Sequence, residues 1–457
     1  MKNQEFKNKK ILIVGMARSG LAATTVLFNL GAEPVCQDSK PENKIPTDII
    51  SYLKKKDIEY HFGTDPEVDD FDLIVVSPGV PLNIKLLKSA KEKGIKIIGE
   101  LELAYELSDA NFVSITGTNG KTTTTTLVGE MFKNGKFESE VAGNIGLPVT
   151  EKSVKARKDS WLIVETSSFQ AETIDEFHPK VSALLNLVSD HLDRHKTFKN
   201  YAMAKARIFE NQNEEDFAVV NADDNEVMKL VEGIKAEVVP FSGTKNLNFG
   251  AFIHNDEIVI KNKQQETTVF CKVRDLKIPG KHNVENALAA TAIAYFSGVD
   301  ENSISKTLKS FAGVEHRIEK CATVNGITYY NDSKGTNPDA AIKAIQAIEG
   351  NIILIAGGYD KGADFSEFIR SFGDKVKHVV LMGKTAVKIK NACEKSGFEK
   401  TIIVKDMEDC VREATRLAEY GDSVLLSPAC ASWDMYDSFE QRGRHFKECI
   451  RKLEKEK

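Results

Sequence analysis

The sequence predicts an α/β protein made of three domains, each built on a largely parallel sheet. First, the chain has 457 residues, which exceeds what one typical hydrophobic core supports. Second, short and wholly apolar segments recur along the chain, and a helical pattern follows most of them. Third, a strand that runs into a glycine turn and then a helix occurs twice, at "GMARSG" and at "GTNGK".

The composition is that of an ordinary soluble globular protein, with 41% hydrophobic and 28% charged residues. A net charge of -5 disfavours a global basic surface for nucleic acid, so no nucleic-acid partner is expected. Seven cysteines lie scattered without a C-x-x-C pair, which suits a reducing compartment. No apolar run approaches the roughly 20 residues of a membrane span, and the N-terminus "MKNQEFKNKK" lacks a signal-peptide apolar region. We expect a cytoplasmic protein without membrane insertion.

The first block of the chain reads as a Rossmann-like domain over residues 1–99. Its predicted strands cover residues 10–14, 34–38, 72–76 and 96–98. The turn "GMARSG" follows the first strand, and an amphipathic helix then runs to about Gly31. Strand, glycine turn, helix and strand in this order form a βαβ unit.

The second block reads as a P-loop-type central mononucleotide-binding domain over residues 100–313. Its predicted strands cover residues 111–116, 160–165, 180–187 and 217–224. They are apolar almost throughout, as strands buried in a parallel sheet are. Short alternating segments between residues 241 and 279 predict a small antiparallel excursion, and a helix follows over residues 282–297.

The third block reads as a second Rossmann-like domain, over residues 314–457. Its predicted strands cover residues 350–358, 378–383, 401–405 and 423–429. A helical stretch follows each of them, which again predicts a parallel sheet.

The turn "GMARSG" follows the G-x-G-x-x-G pattern except that Ala17 replaces the middle glycine. Asp38 lies about where an acid that binds a ribose would fall. Free N–H groups at a helix start favour an anion, so a phosphate of some kind is one interpretation. A dinucleotide cofactor and a turn that needs glycine only for steric reasons are the alternatives.

The stretch "SITGTNGKTTTTTL" resembles a phosphate-binding loop with unusual spacing. Only Thr118 and Asn119 separate Gly117 from Gly120-Lys121, whereas a Walker A loop has four residues there. The loop still joins a strand to a helix, where backbone N–H groups converge on a phosphate. Lys121 would contact the terminal phosphates and a following threonine would ligate Mg²⁺. A glycine-rich turn with an exposed lysine is the alternative.

Two downstream segments carry candidate metal ligands. Glu165 ends a predicted strand and could face the same Mg²⁺, or it could be a solvated acid. The segment "SDHLDRH" contains Asp190, His191 and His195. Its two histidines at i, i+4 suggest zinc, but no third ligand has the expected spacing. A magnesium or substrate contact and a capped helix start remain the other interpretations.

Lys205 lies within the apolar stripe of a predicted helix. The stripe consists of Phe198, Tyr201, Lys205, Ile208 and Phe209. Burial disfavours the charged amine and lowers its pKa, which leaves a neutral and reactive nitrogen. A lysine that extends past the edge of the stripe to solvent is the alternative.

The third block carries four polar segments near strand ends or helix starts, namely "EHRIE", "NDSKGTNPDA", "GGYDKGADF" and "SPACASWDMYDSFEQRGRHF". Each alone is more typical of a turn than of a site. Together they bring Arg317, Lys334 and Lys361 to one polar face, which suits anionic ligands.

Ten segments in order across nearly the whole chain resemble the Mur ligase family. They are "TGTNGKTT", "GNIG", "ETSSFQ", "SDHLDRH", "MAKARIFE", "KHNVENALAA", "EHRIE", "NDSKGTNPDA", "GGYDKGADF" and "SPACASWD". The segment "SPACASWDMYDSFEQRG" resembles the members that add D-glutamate to UDP-N-acetylmuramoyl-L-alanine. The resemblance implies an ATP-dependent carbon–nitrogen ligase of peptidoglycan precursor synthesis, which acts through an acyl phosphate as a monomer.

The resemblance also implies roles for individual residues. It assigns ATP to Gly117, Thr118, Asn119, Gly120, Lys121, Thr122, Thr123, Asn283, Asn286, Arg317, Asp332 and Lys334. It implies two Mg²⁺ sites, one held by Thr122 and Glu165 and the other by His191 and a carbamate on Lys205. The catalytic residues would be Lys121, Glu165, His191 and Lys205.

The two organic substrates would contact residues of all three blocks. The implied contacts are Gly15, Met16, Ala17, Arg18, Ser19, Ser77, Gly79, Asn144, Ser167, Asp190, Thr336, Lys361, Ser432 and Phe439. The first seven would hold the uridine diphosphate, and Thr336, Lys361, Ser432 and Phe439 would hold D-glutamate. Gly335 departs from the family pattern, in which alanine is commoner, and the segment around Asp38 and Lys40 matches the uridine-side loop only loosely.

Three rival functions follow from parts of the sequence. A folylpolyglutamate-synthase-like ligase shares the loop and the lysine, but would not be expected to have a whole "GMARSG" domain. A regulatory nucleotide switch for guanine would show an N-K-x-D motif, which the sequence lacks. An NAD-dependent oxidoreductase would depend on "GMARSG" alone.

Overall fold

The computed structural model describes residues 5–278, 280–359 and 362–455, so Lys361 lies outside the described residues. Within them the chain forms three sheets, of five, nine and six strands. It divides into two compact units, the first made of the residues up to 275 with 284–309, and the second of 276–283 with the residues from 310 on. The three-domain α/β fold class is confirmed, and the boundaries after residues 99 and 313 stay predictions.

The N-terminal sheet is a doubly wound parallel sheet with the order β3-β2-β1-β4-β5. Its strands and helices are β1 Lys10–Val14, α1 Arg18–Asn29, β2 Glu33–Asp38, α2 Thr47–Lys56, β3 Tyr60–Phe62, β4 Leu73–Val76, α3 Lys85–Glu92 and β5 Lys96–Gly99. The strand order reverses between β1 and β4, and ligands of such sheets bind where it does, at the carboxyl ends of the strands. The "GMARSG" turn lies at that position. The sequence did not predict β3, which has three half-buried residues and no apolar run.

The central sheet has the order β14-β13-β12-β11-β10-β9-β6-β8-β7. Its strands are β6 Asn111–Thr116, β7 Ser139–Gly143, β8 Trp161–Glu165, β9 Val181–Leu184, β10 Phe217–Asn221, β11 Glu237–Ser242, β12 Gly250–His254, β13 Glu257–Lys261 and β14 Thr267–Lys272. The predicted antiparallel excursion is present as β12 to β14. Antiparallel pairing begins at β12, after the predicted start at residue 241, because β11 pairs in parallel with both β10 and β12.

Nine helices in the described residues belong to this central part of the chain. They are α4 Glu100–Glu106, α5 Lys121–Asn134, α6 Val149–Ser153, α7 Ser168–Ala171, α8 Leu192–His195, α9 Phe198–Ala206, α10 Asn225–Leu230, α11 Lys281–Phe296 and α12 Glu301–Ser310. The helix α5 buries one apolar face, made of Leu127, Val128, Met131 and Phe132. Thr124 and Thr125 are completely buried as well, so packing offsets the modest helix propensity of β-branched residues.

The C-terminal sheet has the order β15-β16-β20-β17-β18-β19. Its elements are β15 Glu319–Val324, β16 Ile327–Asn331, α13 Pro338–Ala347, β17 Ile352–Ala356, α14 Ser366–Arg370, β18 Val376–Leu381, α15 Ala386–Lys395, β19 Thr401–Ile403, α16 Met407–Leu417, β20 Ser423–Leu426 and α17 Phe439–Lys455. The antiparallel hairpin β15–β16 was not predicted. Its turn is Asn325-Gly326, with φ of 54° and 77°, which is a strong local hairpin signal. The other pairings of this sheet are parallel.

All seven cysteines are free thiols, and six of them are buried. No helix among the described residues has the length and apolar character to cross a membrane.

Candidate active site

Three polar segments meet at one edge of the central sheet, because β6 lies between β8 and β9 and runs parallel to both. The loop 117–120 follows β6, Glu165 ends β8, and the segment 185–195 follows β9. The registers pair Ile115 with Glu165 and Thr116 with Leu184, so all three strands end at the same level. The structure thus brings these predicted site segments together.

The loop 117–120 depends on its two glycines. Gly117 and Gly120 have φ of 152° and 82°, values that favour glycine. A Cβ on Gly120 would lie 2.2 Å from Asn286 Oδ1, and one on Gly117 would lie 3.0 Å from the Cβ of Leu185. The loop therefore cannot accept a side chain at either position without moving its neighbours.

The segment after β9 holds the loop in place. Asn119 N donates to Asn186 Oδ1 at 2.8 Å, and Asn186 Nδ2 donates back to Asn119 O at 3.1 Å. Thr118 Oγ1 lies 3.0 Å from the Tyr201 hydroxyl and accepts from Val188 N at 3.0 Å. Asn186 is not among the predicted site residues. Its position directly after a buried parallel strand is the signal that could have indicated it.

Two lysine amines converge on the carbonyl groups of this loop. Lys121 Nζ donates to Gly117 O at 2.7 Å and to Thr118 O at 2.9 Å. Lys205 Nζ donates to the same Gly117 O at 2.8 Å. Since the loop also precedes the N-terminus of α5, whose first turn has no acidic residue, its surroundings favour an anionic ligand.

Lys205 is buried, with 2% of its surface exposed. Its amine also donates to Thr116 Oγ1 at 3.3 Å and lies 4.8 Å from the ring centroid of Tyr201. Burial lowers the pKa of Lys205 well below its usual value, and the charge of Lys121 lowers it further. The alternative of a lysine that extends to solvent is thereby excluded.

Glu165 is buried and presents one oxygen without a partner. Its Oε1 accepts from Asn144 Nδ2 at 2.8 Å, while Oε2 has no hydrogen-bond partner among the described residues. A buried carboxylate oxygen without a donor is costly unless a ligand compensates it. The alternative of a solvated strand-end acid does not fit this environment, since Glu165 is only 1% exposed.

The two histidines of "SDHLDRH" differ in environment. His191 is exposed, has a left-handed backbone with φ of 51°, and lies 3.5 Å from a carboxylate oxygen of Asp190. His195 is buried, and its ring nitrogens lie 3.0 Å from Ser168 Oγ and 3.3 Å from Glu172 Oε1. Because both nitrogens of His195 already have partners, a zinc site on this histidine pair gains no support.

The segments "GNIG" and "ETSSFQ" flank this edge of the sheet. Ser167 caps α7 and shares a reciprocal capping box with Gln170. The exposed side chain of Asn144 is held by Glu165, and the Arg18 guanidinium donates to Gly146 O in the loop that follows. The N-terminal "GMARSG" turn and the "GNIG" loop are therefore in contact within the first unit.

The "GMARSG" turn is held by hydroxyl and carboxylate groups. Gly15 has φ of 91°, and its carbonyl accepts from Ser77 Oγ at 2.7 Å. Met16 N donates to Asp38 Oδ2 at 2.9 Å, so the acid that the pattern suggests for a ribose contacts the turn itself. The side chain of Met16 is buried, whereas Ala17, Arg18 and Gly79 are exposed.

In the second unit, a cavity of about 260 Å³ lies beside three of the predicted amino-acid contacts. It is lined by Thr336, Ala431, Ser432, Trp433, Asp437, Ser438, Phe439 and Glu440. The cavity thus brings Thr336 together with Ser432 and Phe439, which lie about a hundred residues further along the sequence. Lys334 Nζ lies 5.7 Å from the ring centroid of Phe439.

Asp332 and Gly335 belong to the loop that follows β16. Burial raises the pKa of Asp332 to about 7. Its Oδ2 accepts from Ser427 Oγ at 2.7 Å. A Cβ on Gly335 would lie 2.4 Å from that same Oδ2, which explains why this chain has glycine there. Arg317, from the "EHRIE" segment, has its Nε buried without a partner among the described residues.

Three family models match the chain in order. They are "Mur ligase MurD-like, N-terminal domain" over residues 9–99, "Mur ligase middle domain" over residues 115–294, and "Mur ligase, glutamate ligase domain" over residues 316–430.

Curated relatives match over the full length. The chain is 49% identical to a UDP-N-acetylmuramoylalanine--D-glutamate ligase of Caldanaerobacter subterraneus, over 98% of this chain and 99% of the relative. It is 48% identical to a protein of the same name from Clostridioides difficile, over 98% of this chain and 100% of the relative.

Solved structures share the fold at low sequence identity. MurF of Acinetobacter baumannii aligns with a TM-score of 0.62 and 15% identity, over 98% of each chain. A MurF ligase of Thermotoga maritima, solved in complex with ADP, aligns with a TM-score of 0.59 and 18% identity, over 92% of this chain and 96% of that chain.

Proposed function

The chain belongs to the Mur ligase family, and on that premise we propose that it joins D-glutamate to UDP-N-acetylmuramoyl-L-alanine with conversion of ATP to ADP and phosphate. This step belongs to peptidoglycan precursor synthesis. The single observation that carries the ligase chemistry is the sheet edge where a phosphate loop, a buried carboxylate and a buried amine meet. The specificity for D-glutamate rests on the full-length likeness to ligases of that name. We place the reaction in the cytoplasm, where ATP and the UDP-linked precursor occur.

The reaction needs activation of a carboxylate before an amide can form. The terminal phosphoryl group of ATP is transferred to the carboxylate of the alanyl substrate, and ADP leaves. The amine of D-glutamate then attacks the acyl phosphate, the nitrogen loses a proton, and phosphate leaves as the amide bond forms. Lys121 and the N-terminus of α5 stabilise the charge on the transferring group, which is the main task in phosphoryl transfer.

Mg²⁺ fits the residues at this sheet edge. The unpartnered, buried Oε2 of Glu165 is a hard anionic ligand of the kind that Mg²⁺ prefers, and Thr122 stands in the first turn of α5. When bound, Mg²⁺ neutralises charge on the phosphate oxygens. Asn144 holds the other oxygen of Glu165, which fixes the orientation of the carboxylate.

Lys205 is proposed to carry a carbamate. The lowered pKa raises the neutral fraction of the amine, and a neutral amine adds to carbon dioxide to form a nitrogen–carbon bond and release one proton. The product is an anionic oxygen ligand, which together with His191 would hold a second Mg²⁺. Labelled bicarbonate and ¹³C NMR provide a readout besides activity, since the carbamate carbon should give a signal that Lys205→Arg lacks.

The remaining site residues are proposed to bind the substrates. The turn 15–19 with Ser77 and Gly79 holds the uridine diphosphate, and Asn144, Ser167 and Asp190 contact the muramoyl part. ATP is further contacted by Asn283, Asn286, Arg317, Asp332 and Lys334. The cavity beside Thr336, Ser432 and Phe439 binds D-glutamate. Lys361 is a further proposed contact of the same substrate.

The experiment is product formation by the purified protein. With ATP, Mg²⁺, UDP-N-acetylmuramoyl-L-alanine and D-glutamate, we expect one phosphate released for each amide formed, with the product identified by mass spectrometry. Omission of either organic substrate is the control and should stop phosphate release. Turnover with another amino acid but not with D-glutamate would contradict the specificity.

The folylpolyglutamate-synthase-like alternative is tested in the same assay. A reduced folate and L-glutamate replace the two organic substrates, and we expect no phosphate release. The complete doubly wound N-terminal sheet favours the UDP-linked substrate over this alternative, since the alternative leaves that sheet without a ligand.

A further inference from the structure

Arg442 is the largest fully buried side chain of the described residues, with 1% of its surface exposed. It lies on α17 in the second unit. All the hydrogen-bond acceptors of its guanidinium among the described residues are neutral oxygens. Burial lowers the pKa of Arg442 to about 10, so it remains charged at neutral pH. A buried cation without a paired carboxylate costs free energy, and a well-packed apolar side chain would not incur that cost.

The guanidinium connects two loops that are distant in sequence. Its Nε and Nη2 donate to Ser333 Oγ at 3.0 Å and Ser333 O at 2.7 Å, in the loop 332–336 that follows β16. Its Nη1 donates to Cys430 O at 3.1 Å and Ala431 O at 3.3 Å, in the loop 429–433 that follows β20. Since β16 and β20 are parallel neighbours, both loops leave the sheet at the same edge.

Each of these loops supplies one wall of the cavity described above. Thr336 comes from the loop 332–336, and Ser432 comes from the loop 429–433. The second loop contains Ala429 with φ of 56°, a conformation that costs free energy for a residue with a side chain. Such a loop keeps its shape only when its surroundings hold it, and Arg442 bonds the two carbonyl groups that follow Ala429.

We propose that Arg442 is a positioning residue for the amino-acid substrate, which sets the distance between Thr336 and Ser432 by binding both loops at once. The inference rests on the proposed function, because it takes the cavity as the D-glutamate site. The planar fork of five N–H donors suits this task, whereas a lysine offers three donors around a single nitrogen. Lysine would keep the charge but could not reach both loops in the same way.

The test compares Arg442→Met and Arg442→Lys with the wild type in the ligation assay. We expect the KM for D-glutamate to rise at least about tenfold in Arg442→Met, because the loss of several hydrogen bonds to a charged group releases both loops. The KM for the UDP-linked acceptor should stay within about twofold, since its proposed contacts lie in the first unit. Arg442→Lys should give an intermediate KM for D-glutamate.

Two further variants distinguish the proposed positioning role of Arg442 from a loss of folding. Ser333→Ala removes one acceptor and keeps the guanidinium, so we expect a KM for D-glutamate about two- to threefold higher, the effect of one hydrogen bond. Arg451→Met replaces an exposed arginine of the same helix and should match the wild type. Thermal unfolding of each variant shows whether the second unit is still folded.

Three outcomes overturn the proposal. An unchanged KM for D-glutamate in folded Arg442→Met removes the positioning role. An equal rise of all three Michaelis constants indicates a general structural role. Full recovery by lysine assigns the effect to charge and not to the connection of the two loops. Absence of any wild-type product with D-glutamate would instead contradict the proposed function, so the two failures are distinguishable.

Discussion

The loops 15–20 and 117–120 are built from the same local pattern but lie in opposite electrostatic surroundings. Each follows the first strand of its domain, precedes a helix and begins with a glycine of positive φ. At the loop 117–120, the amines of Lys121 and Lys205 donate to the loop carbonyl groups. At the loop 15–20, the Asp38 carboxylate accepts from a loop N–H group.

On the proposed function, this difference separates a loop that takes part in phosphoryl transfer from a loop that only binds a substrate. The Lys121 amine can stabilise a phosphoryl group in transfer, and Glu165 Oε2, which has no partner among the described residues, would hold the Mg²⁺ that neutralises its charge. At the turn 15–20, Met16 N already donates to the Asp38 carboxylate, and Gly15 O accepts from the neutral Ser77 hydroxyl and not from an amine. The lesson is that strand, turn and helix make an anion site, while the residues packed around it decide whether that site performs chemistry.

The largest effect is expected from removal of the Lys205 amine, which donates to the loop 117–120. Lys205→Ala should lower kcat about 10²–10³-fold, since the proposed carbamate, an anionic ligand for Mg²⁺, is lost with the amine. Added bicarbonate should not restore activity, whereas a small free carboxylic acid should restore part of it. Lys199→Ala, at an exposed position of the same helix, is the matched control. Near-normal turnover of Lys205→Ala would show that Lys205 takes no part in the reaction at the loop 117–120.

The next effect concerns the unpartnered carboxylate oxygen. Glu165→Gln keeps the acceptor for Asn144 but loses the negative charge, so we expect kcat to fall about 100-fold and weaker binding of the metal. Titration with Mn²⁺ followed by electron paramagnetic resonance measures the metal affinity directly. Glu140→Gln, at an exposed site on β7, should leave both quantities unchanged. Unchanged Mn²⁺ affinity would show that Glu165 is not a ligand.

Two glycine substitutions test whether the loops 15–20 and 117–120 bind different substrates. Gly120→Ala should raise the KM for ATP, and Gly15→Ala should raise the KM for the UDP-linked acceptor. Each change forces a side chain into a positive φ, which costs about 1–3 kcal/mol and corresponds to a factor of about 5 to 160 in KM. Added Cβ atoms would also lie 2.2 Å from Asn286 Oδ1 and 2.7 Å from Val80 Cγ2, respectively. If both variants affected the same substrate, the two loops would not serve different ligands.

The smallest effect is expected at the carboxylate that holds the N-terminal turn. Asp38→Ala removes the acceptor for Met16 N and Lys40 N, and water replaces it in part. We expect the KM for the UDP-linked acceptor to rise about two- to tenfold, with kcat and the KM for ATP unchanged. Glu33→Ala, at the exposed start of β2, is the control. A lower kcat at saturating substrate would place Asp38 in the chemical step.

Features of local origin were predictable from the sequence. The strand β6, its loop and α5 form one continuous segment, so apolar runs and glycine positions suffice to indicate them. The burial of Lys205 followed from the helical spacing of its apolar neighbours. Short strands without an apolar run, such as β3 and β7, were missed because their residues alternate or are only half-buried.

The partners of each polar group could not be predicted in the same way. His191 and His195 have equivalent spacing in the sequence, yet only His195 has both nitrogens bound, because Ser168 and Glu172 come from a separate segment. The hydrogen bonds of Asn186 and Arg442 likewise join segments that are distant in the sequence, so the sequence alone did not predict them.

The sequence by itself determined the α/β class, the family and the segments that carry the chemistry, because these depend on periodicity and on residue order along the chain. Only the tertiary structure decided that one Glu165 oxygen has no partner among the described residues, that Asp38 binds the turn 15–20 and that Arg442 joins two loops. Those facts depend on distances between residues far apart in the chain, which the packing of strands and helices sets. For that reason the two glycine loops look alike as sequences and differ as sites.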